Sequence, residues 1–136
     1  FVPFFPRWFH ANIELRTVYL NRAIQKEIEW IYSNNDNNDD SDGRKLFKIR
    51  LIVLGGGYDT RSVRLLTENN DTVKIDKAYE LDLSHVIKSK MAPLSKLGSS
   101  TKTLLRDKAI ELIGVDLNDL DTVRSVLSNI VTTTDA

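Results

Sequence analysis

There is no cysteine among the 136 residues, which excludes a disulfide framework, a thiolate metal site and a cysteine nucleophile. That absence fits a reducing compartment, and a cytoplasmic location is the expectation. Net charge is absent as well, because nineteen Lys and Arg offset nineteen Asp and Glu. No overall field therefore draws the chain to nucleic acid or to an anionic membrane, and neither is expected as a partner. No apolar run approaches the ~20 residues that span a bilayer. The opening FVPFFP is aromatic but short, and it lacks the charged-then-apolar order of a signal peptide. The chain starts without Met and is expected to be a piece of a longer one. His10 and His85 have no second histidine or acid at metal-ligand spacing, so no metal site is read there. What is present is an ordinary globular composition, 41% hydrophobic and 28% charged, long enough for one domain with a real core.

The apolar pattern divides the chain. Ile13, Thr17, Leu20, Ile24, Ile28 and Ile31 recur at steps of three and four, which predicts a helix over 12–32. The next stretch, SNNDNNDDSDGRK over 33–45, contains no apolar residue and reads as a polar, disordered insertion. Asn38, Asp40, Asp42 and Gly43 stand at the first, third, fifth and sixth positions of a calcium loop. The twelfth would be Ile49, where a bidentate Glu is required, so the insertion is preferred.

Beyond it, short apolar segments alternate with helical ones. Strands are expected at Lys48–Leu54, Lys77–Leu83 and Ala109–Leu117. Helices are expected at Asp59–Glu68, from a Ser84 cap through Lys90 until Pro93 ends or kinks it, and from Asn118 onward with Leu120, Val123, Val126, Leu127 and Ile130 as its buried stripe. Such alternation implies a parallel sheet in an α/β, Rossmann-like fold.

In that architecture ligands gather beyond the carboxyl ends of the strands. Three features fall there. Gly55-Gly56-Gly57 follows the first strand, where glycine permits positive φ and close approach to the backbone. Glu80 and Asp82 end the second strand, and a carboxylate there can accept both hydroxyl hydrogens of a ribose. Asp116-Leu117 ends the third, where an acid beside an apolar side chain suits adenine. The dinucleotide fingerprint fails, because Thr60 stands at its third glycine. No Lys-Ser/Thr follows the glycines either, which excludes a phosphate-gripping Walker loop. A ligand with ribose and adenine but no phosphate, S-adenosylmethionine, fits best. A plain turn with helix-capping acids is the bland alternative. Asp59 and Thr60 read as caps of the following helix, and Arg61 and Arg64 as pairing residues.

VLGGGYDTRSVRL, YELDLSHVIKSK and GVDLNDL together resemble the leucine carboxyl methyltransferase family. NIELRTVYL looks like its N-terminal helix. The resemblance runs from about Asn12 to Leu120, and it implies a class I methyltransferase fold of which residues 1–136 form the N-terminal, cofactor-binding part. It also implies S-adenosylmethionine held by Arg16, Gly55, Gly57, Asp82, Asp116 and Leu117, with Arg16 on the methionyl carboxylate. Lys90 matches a family lysine and reads as structural, while Ser84 replaces the family's usual Pro. The implied reaction is methyl transfer to a carboxylate, either the C-terminal leucine of a protein such as a type 2A phosphatase catalytic subunit or a small molecule. A tRNA-base branch of the family, an inactive cofactor-binding or regulatory module, and an NAD-dependent half are the alternatives. No general base is needed for that reaction, and none is assigned. The first strand is expected at an edge of the sheet, since the next two strands build only one side of it. The isolated chain is accordingly expected to bind cofactor weakly, to show no turnover and to associate.

Overall fold

The structure is a computed structural model that describes residues 7–34, 49–67, 75–96 and 98–132. It forms two compact units, Phe1–Phe47 and Lys48–Ala136. The first contributes one long helix, α1 (Arg7–Asn34). Its expected stripe is the shielded side, with Ile28 buried and Thr17, Leu20, Ile24 and Ile31 half-buried, while Leu15, Tyr19 and Trp30 are exposed. The helix runs two residues into the stretch read as insertion. Ser33 and Asn34 turn their side chains back onto the Trp30 carbonyl, at 3.0 and 2.9 Å, so polar composition did not stop it. The rest of that stretch, and with it the calcium-loop reading, lies outside the described residues.

The second unit is a parallel sheet with helices on both faces. Its elements are β1 (Ile49–Leu54), α2 (Arg61–Thr67), β2 (Ile75–Asp82), α3 (Ser84–Leu94), α4 (Ser99–Arg106), β3 (Ile110–Gly114) and α5 (Leu120–Thr132). The strand order is β1-β2-β3, with Leu51 opposite Ala78, Leu54 opposite Leu81 and Asp82 opposite Gly114. Among the described residues β1 is paired on one side only, as expected from sequence.

β2 is the central strand, and its sequence explains why. From Ala78 to Leu81 every residue is buried, whichever way the pleat points it, so both faces are covered. On one face Tyr79, Leu81, Val115 and Ile130 form a core with Ile52, Ile113, Leu117, Val123, Val126 and Leu127 around it, which seats α5. The expected α5 stripe supplies those contacts, apart from Leu120, which is exposed. On the other face α2 packs on β2, and α3 and α4 pack on β3. Lys77 braces the adjoining strands through Glu111 at 2.6 Å, and that carboxylate raises the lysine's affinity for its proton.

Several boundaries differ from the sequence reading, each for a local reason. Helix α4 was not expected: SSTKTLLR has two adjacent leucines and no apolar stripe. It forms because Thr101 is buried and the helix packs on α2 and β3. Its end reverses through Lys108, the one described non-glycine residue at positive φ (54°). There Ala109 N–H reaches the Leu104 carbonyl at 2.9 Å, and Lys108 N–H reaches Leu105 at 3.4 Å, a Schellman closure usually given to glycine.

Ser84 is the first residue of α3 and not its cap. Leu83 holds the cap position, and no side chain caps it. A first helical position is where proline is favoured, so Ser and Pro are interchangeable there. Helix α3 continues past Lys90, and Pro93 sits inside its last turn, where the missing N–H disturbs little before the helix ends. β3 is shorter than expected and stops at Gly114. Helix α5 opens two residues later than Asn118, capped by Asp119, whose carboxylate accepts Thr122 N–H at 3.2 Å and Thr122 Oγ1 at 2.6 Å.

Candidate functional site

The turn after β1 is built by hydrogen bonds that only its sequence allows. Gly55 and Gly57 have φ of +65° and +52°, a region that side chains disfavour. Gly55 N–H donates to the Leu81 carbonyl at 2.9 Å, which keeps the turn against β2 after the strand ladder has ended. Gly57 N–H then donates to Asp82 Oδ2 at 2.8 Å. Asp59 closes the turn, with its N–H on the Gly56 carbonyl at 2.9 Å.

Asp82 is the junction of the site. Its Oδ1 accepts the N–H of Leu83 at 2.7 Å while Oδ2 takes Gly57. A carboxylate offers about four acceptor positions. The backbone uses one on each oxygen, so each oxygen keeps one for a further donor. The residue is half-buried, held in orientation and still accessible.

The third strand end is tied to the same place. Val115 N–H donates to the Asp82 carbonyl at 2.7 Å. Leu117 Cδ1 lies 3.6 Å from where a side chain on Gly55 would begin, so that leucine borders the turn. Among the described residues, and apart from Gly57's own chain neighbours, no atom stands within 4 Å of a Cβ position built on Gly57. Asp116 is exposed, and its Oδ1 accepts both the N–H and the side-chain amide of Asn118, at 2.9 and 3.0 Å. It thus shapes the loop into α5 through one oxygen.

Of the residues singled out from sequence, the fold groups Gly55, Gly57, Asp82 and Leu117 around one turn and sets Asp116 next to Leu117. Arg16 belongs to the other unit and is exposed on α1. Glu80 does not join the group. It is 3% exposed, with one carboxylate oxygen on Ser62 Oγ and the other on Lys90 Nζ, so a ligand could not reach it. The capping role of Asp59 stands, since its Oδ1 accepts Arg61 N–H at 2.9 Å and its Oδ2 pairs with the Arg61 guanidinium at 3.2 Å. Thr60 contributes its carbonyl to Arg64 N–H at 3.1 Å. His85 is exposed.

Sequence reasoning missed two contributors. Gly114 is one. A Cβ there would stand 2.6 Å from Ser84 Oγ and 3.0 Å from Ser84 Cα, so the end of β3 can lie beside the start of α3 only without a side chain. A glycine inside a strand pattern was the available signal. Ser62 is the other: 1% exposed on α2, it marks nothing in the sequence.

A glycine turn locked to a strand-end carboxylate in a parallel α/β sheet with helices on both faces places the second unit in the Rossmann-like class of ligand-binding folds. Residues 42–133, more than half of the chain, match the family described as leucine carboxyl methyltransferase, and the chain belongs to that family. The match includes the turn and the three strand ends; Arg16 falls outside it. No individual curated protein matches the chain.

Proposed function

We propose that this methyltransferase uses S-adenosylmethionine as its methyl donor and a carboxylate as its acceptor, the C-terminal leucine of a protein such as a type 2A phosphatase catalytic subunit being favoured over a small molecule. The observation that carries the cofactor assignment is the geometry of Asp82. Its two outward acceptor positions suit a vicinal diol, and the Gly57 N–H fixes the carboxylate that offers them.

The residues present fit such a ligand. Asp82 would take the ribose hydroxyls. The backbone at Gly55 and Gly57 admits the sugar closely, with positive φ at both glycines and, among the described residues, nothing beyond its chain neighbours crowding Gly57. Leu117 offers an apolar surface beside the turn, and the Asp116 carboxylate keeps an oxygen for the exocyclic amine of adenine. The family resemblance assigns Arg16 to the methionyl carboxylate. When bound, the cofactor supplies an electrophilic methyl group on a sulfonium sulfur.

The acceptor explains why no acid–base pair is required. A carboxylate is already ionised near neutral pH, so the chain's task is to hold, orient and dehydrate. Dinucleotide binding is disfavoured because Thr60 stands where the fingerprint needs glycine.

Two measurements test the proposal. Calorimetry should detect S-adenosylhomocysteine and not NAD. The full-length protein, given donor labelled in the methyl group, should form a product that mild base releases as methanol, the behaviour of a methyl ester. A base-stable product would exclude the carboxylate acceptor, and heat on NAD titration alone would exclude the cofactor.

A further inference from the structure

Lys90 and Glu80 are the two charged side chains most completely enclosed among the described residues, at 1% and 3% exposure, and binding as proposed gives neither a task. Glu80 lies on the same face of β2 as Asp82, two residues deeper. One of its oxygens accepts Ser62 Oγ from α2 and the other accepts Lys90 Nζ from α3. Lys90 Nζ also donates to the carbonyl of Asp59. That second bond leaves the helix–strand core and reaches the last residue of the glycine turn.

The turn is therefore tethered at three points. Gly55 N–H is held by the Leu81 carbonyl and Gly57 N–H by the Asp82 carboxylate, both on β2. The third point is the Asp59 carbonyl, which is held by Lys90 of α3 and not by the strand, with Glu80 as the lysine's anchor on β2. Stability alone does not explain the device. A buried ion pair is on balance no more stabilising than apolar side chains of similar volume, and often less. An apolar pair, however, could not donate to the Asp59 carbonyl.

We propose that Lys90 is a positioning residue for the cofactor site. Anchored by Glu80, it clamps the Asp59 carbonyl and sets the turn so that Gly57 N–H stays on Asp82, which keeps the outward acceptor positions of Asp82 in place for a diol. This rests on the ligand assignment above. Glu80 and Ser62 act through Lys90, and none of the three touches the ligand.

The test separates clamping from folding. Lys90→Met alone would strand the Glu80 charge in the core, so the informative variant is Glu80→Gln/Lys90→Met, which removes the clamp and the charge together. Three quantities are read in the full chain: melting temperature, the dissociation constant for S-adenosylhomocysteine, and hydrogen exchange at the Gly57 and Asp59 amides. The paired variant should melt close to the parent, with Leu81 and Ile113 amides exchanging at the parent rate. Its Gly57 amide should exchange at least about tenfold faster and its ligand affinity fall by about tenfold or more, the scale of one lost positioning hydrogen bond. Lys90→Arg, which keeps the cation and its donors, should recover both. Parent-like affinity and Gly57 protection in the paired variant, at a parent-like melting temperature, would overturn the proposal. Ser62→Ala loosens Glu80 with all charges retained, and faster Gly57 exchange there supports the clamp while a parent rate counts against it. The exchange readout needs no ligand. If the parent chain fails to bind S-adenosylhomocysteine while Gly57 exchange still responds, the ligand assignment falls and the clamp stands.

Discussion

Asp82→Asn separates the two jobs assigned to that side chain. The amide has one oxygen, with two acceptor positions, and an NH2 that only donates. Gly57 N–H is part-buried and Leu83 N–H is exposed, so the oxygen should turn toward Gly57 and water should take Leu83. Stability then falls by about 1 kcal/mol or less, one exposed hydrogen bond, which for a unit of this size lowers the melting temperature by roughly 5 °C at most. The ligand fares worse. One ribose hydroxyl meets a donor instead of an acceptor, and the other keeps its acceptor without the charge. We expect a loss of about 2–3 kcal/mol, a dissociation constant roughly 30- to 150-fold higher for S-adenosylhomocysteine. Isothermal calorimetry beside a thermal melt reads both effects. An unchanged affinity would refute the diol assignment, and a collapse of the melting temperature would make Asp82 chiefly structural.

Other outcomes follow from single contacts. Gly114→Ala should destabilise the fold in chemical denaturation, because its new methyl would lie 2.6 Å from Ser84 Oγ and overpacking costs about 1–3 kcal/mol; a neutral result would mean that β3 and α3 part easily. Leu81→Ala should cost about 3–5 kcal/mol by the same method, since the side chain has no exposure and centres the α5-side core. Lys108→Gly should stabilise by about 0.5–1 kcal/mol, relieving positive φ at the end of α4, and a lower melting temperature would contradict the closure described. The bonds from the Thr122 side chain and backbone depress the affinity of Asp119 for its proton. The cap's contribution to α5 is thus complete above the ordinary aspartate value and lost as pH falls through the lowered folded value, and α5 amide protection, taken relative to the intrinsic exchange rate at each pH, should fall in that range.

The parallel sheet was legible because short strand-like segments, such as the apolar run Leu51–Leu54, alternate with helical ones along the chain. The turn was legible too, since Gly55 and Gly57 adopt the positive φ that glycine permits. Asp82 could be placed because it ends the strand next to that turn. What the sequence hides is direction and depth. Glu80 and Asp82 are both acids on one strand face, and only packing shows that α2 and α3 bury the first while the second reaches the rim. Helix α4 was invisible because tertiary contacts, not an apolar stripe, hold it. Gly114 carried a signal, a glycine inside a strand pattern, but which backbone comes close to it is not encoded along the chain.

β1 carries a pairing partner on one side only among the described residues, and Leu54 at its end is 54% exposed. Such an edge invites association, so sedimentation of the 136-residue chain should show self-association that deepens with concentration; a monomer at all concentrations would count against an open edge.

Hydrogen exchange of the 136-residue chain, with S-adenosylhomocysteine in large excess and NAD as the control, reads the cofactor site even where affinity is weak. Protection should rise at the Gly57 amide and across 116–118 with S-adenosylhomocysteine and stay at the ligand-free level with NAD. Equal protection by both, or none at Gly57 with S-adenosylhomocysteine at saturating concentration, would contradict the assignment of this turn to the methyl donor.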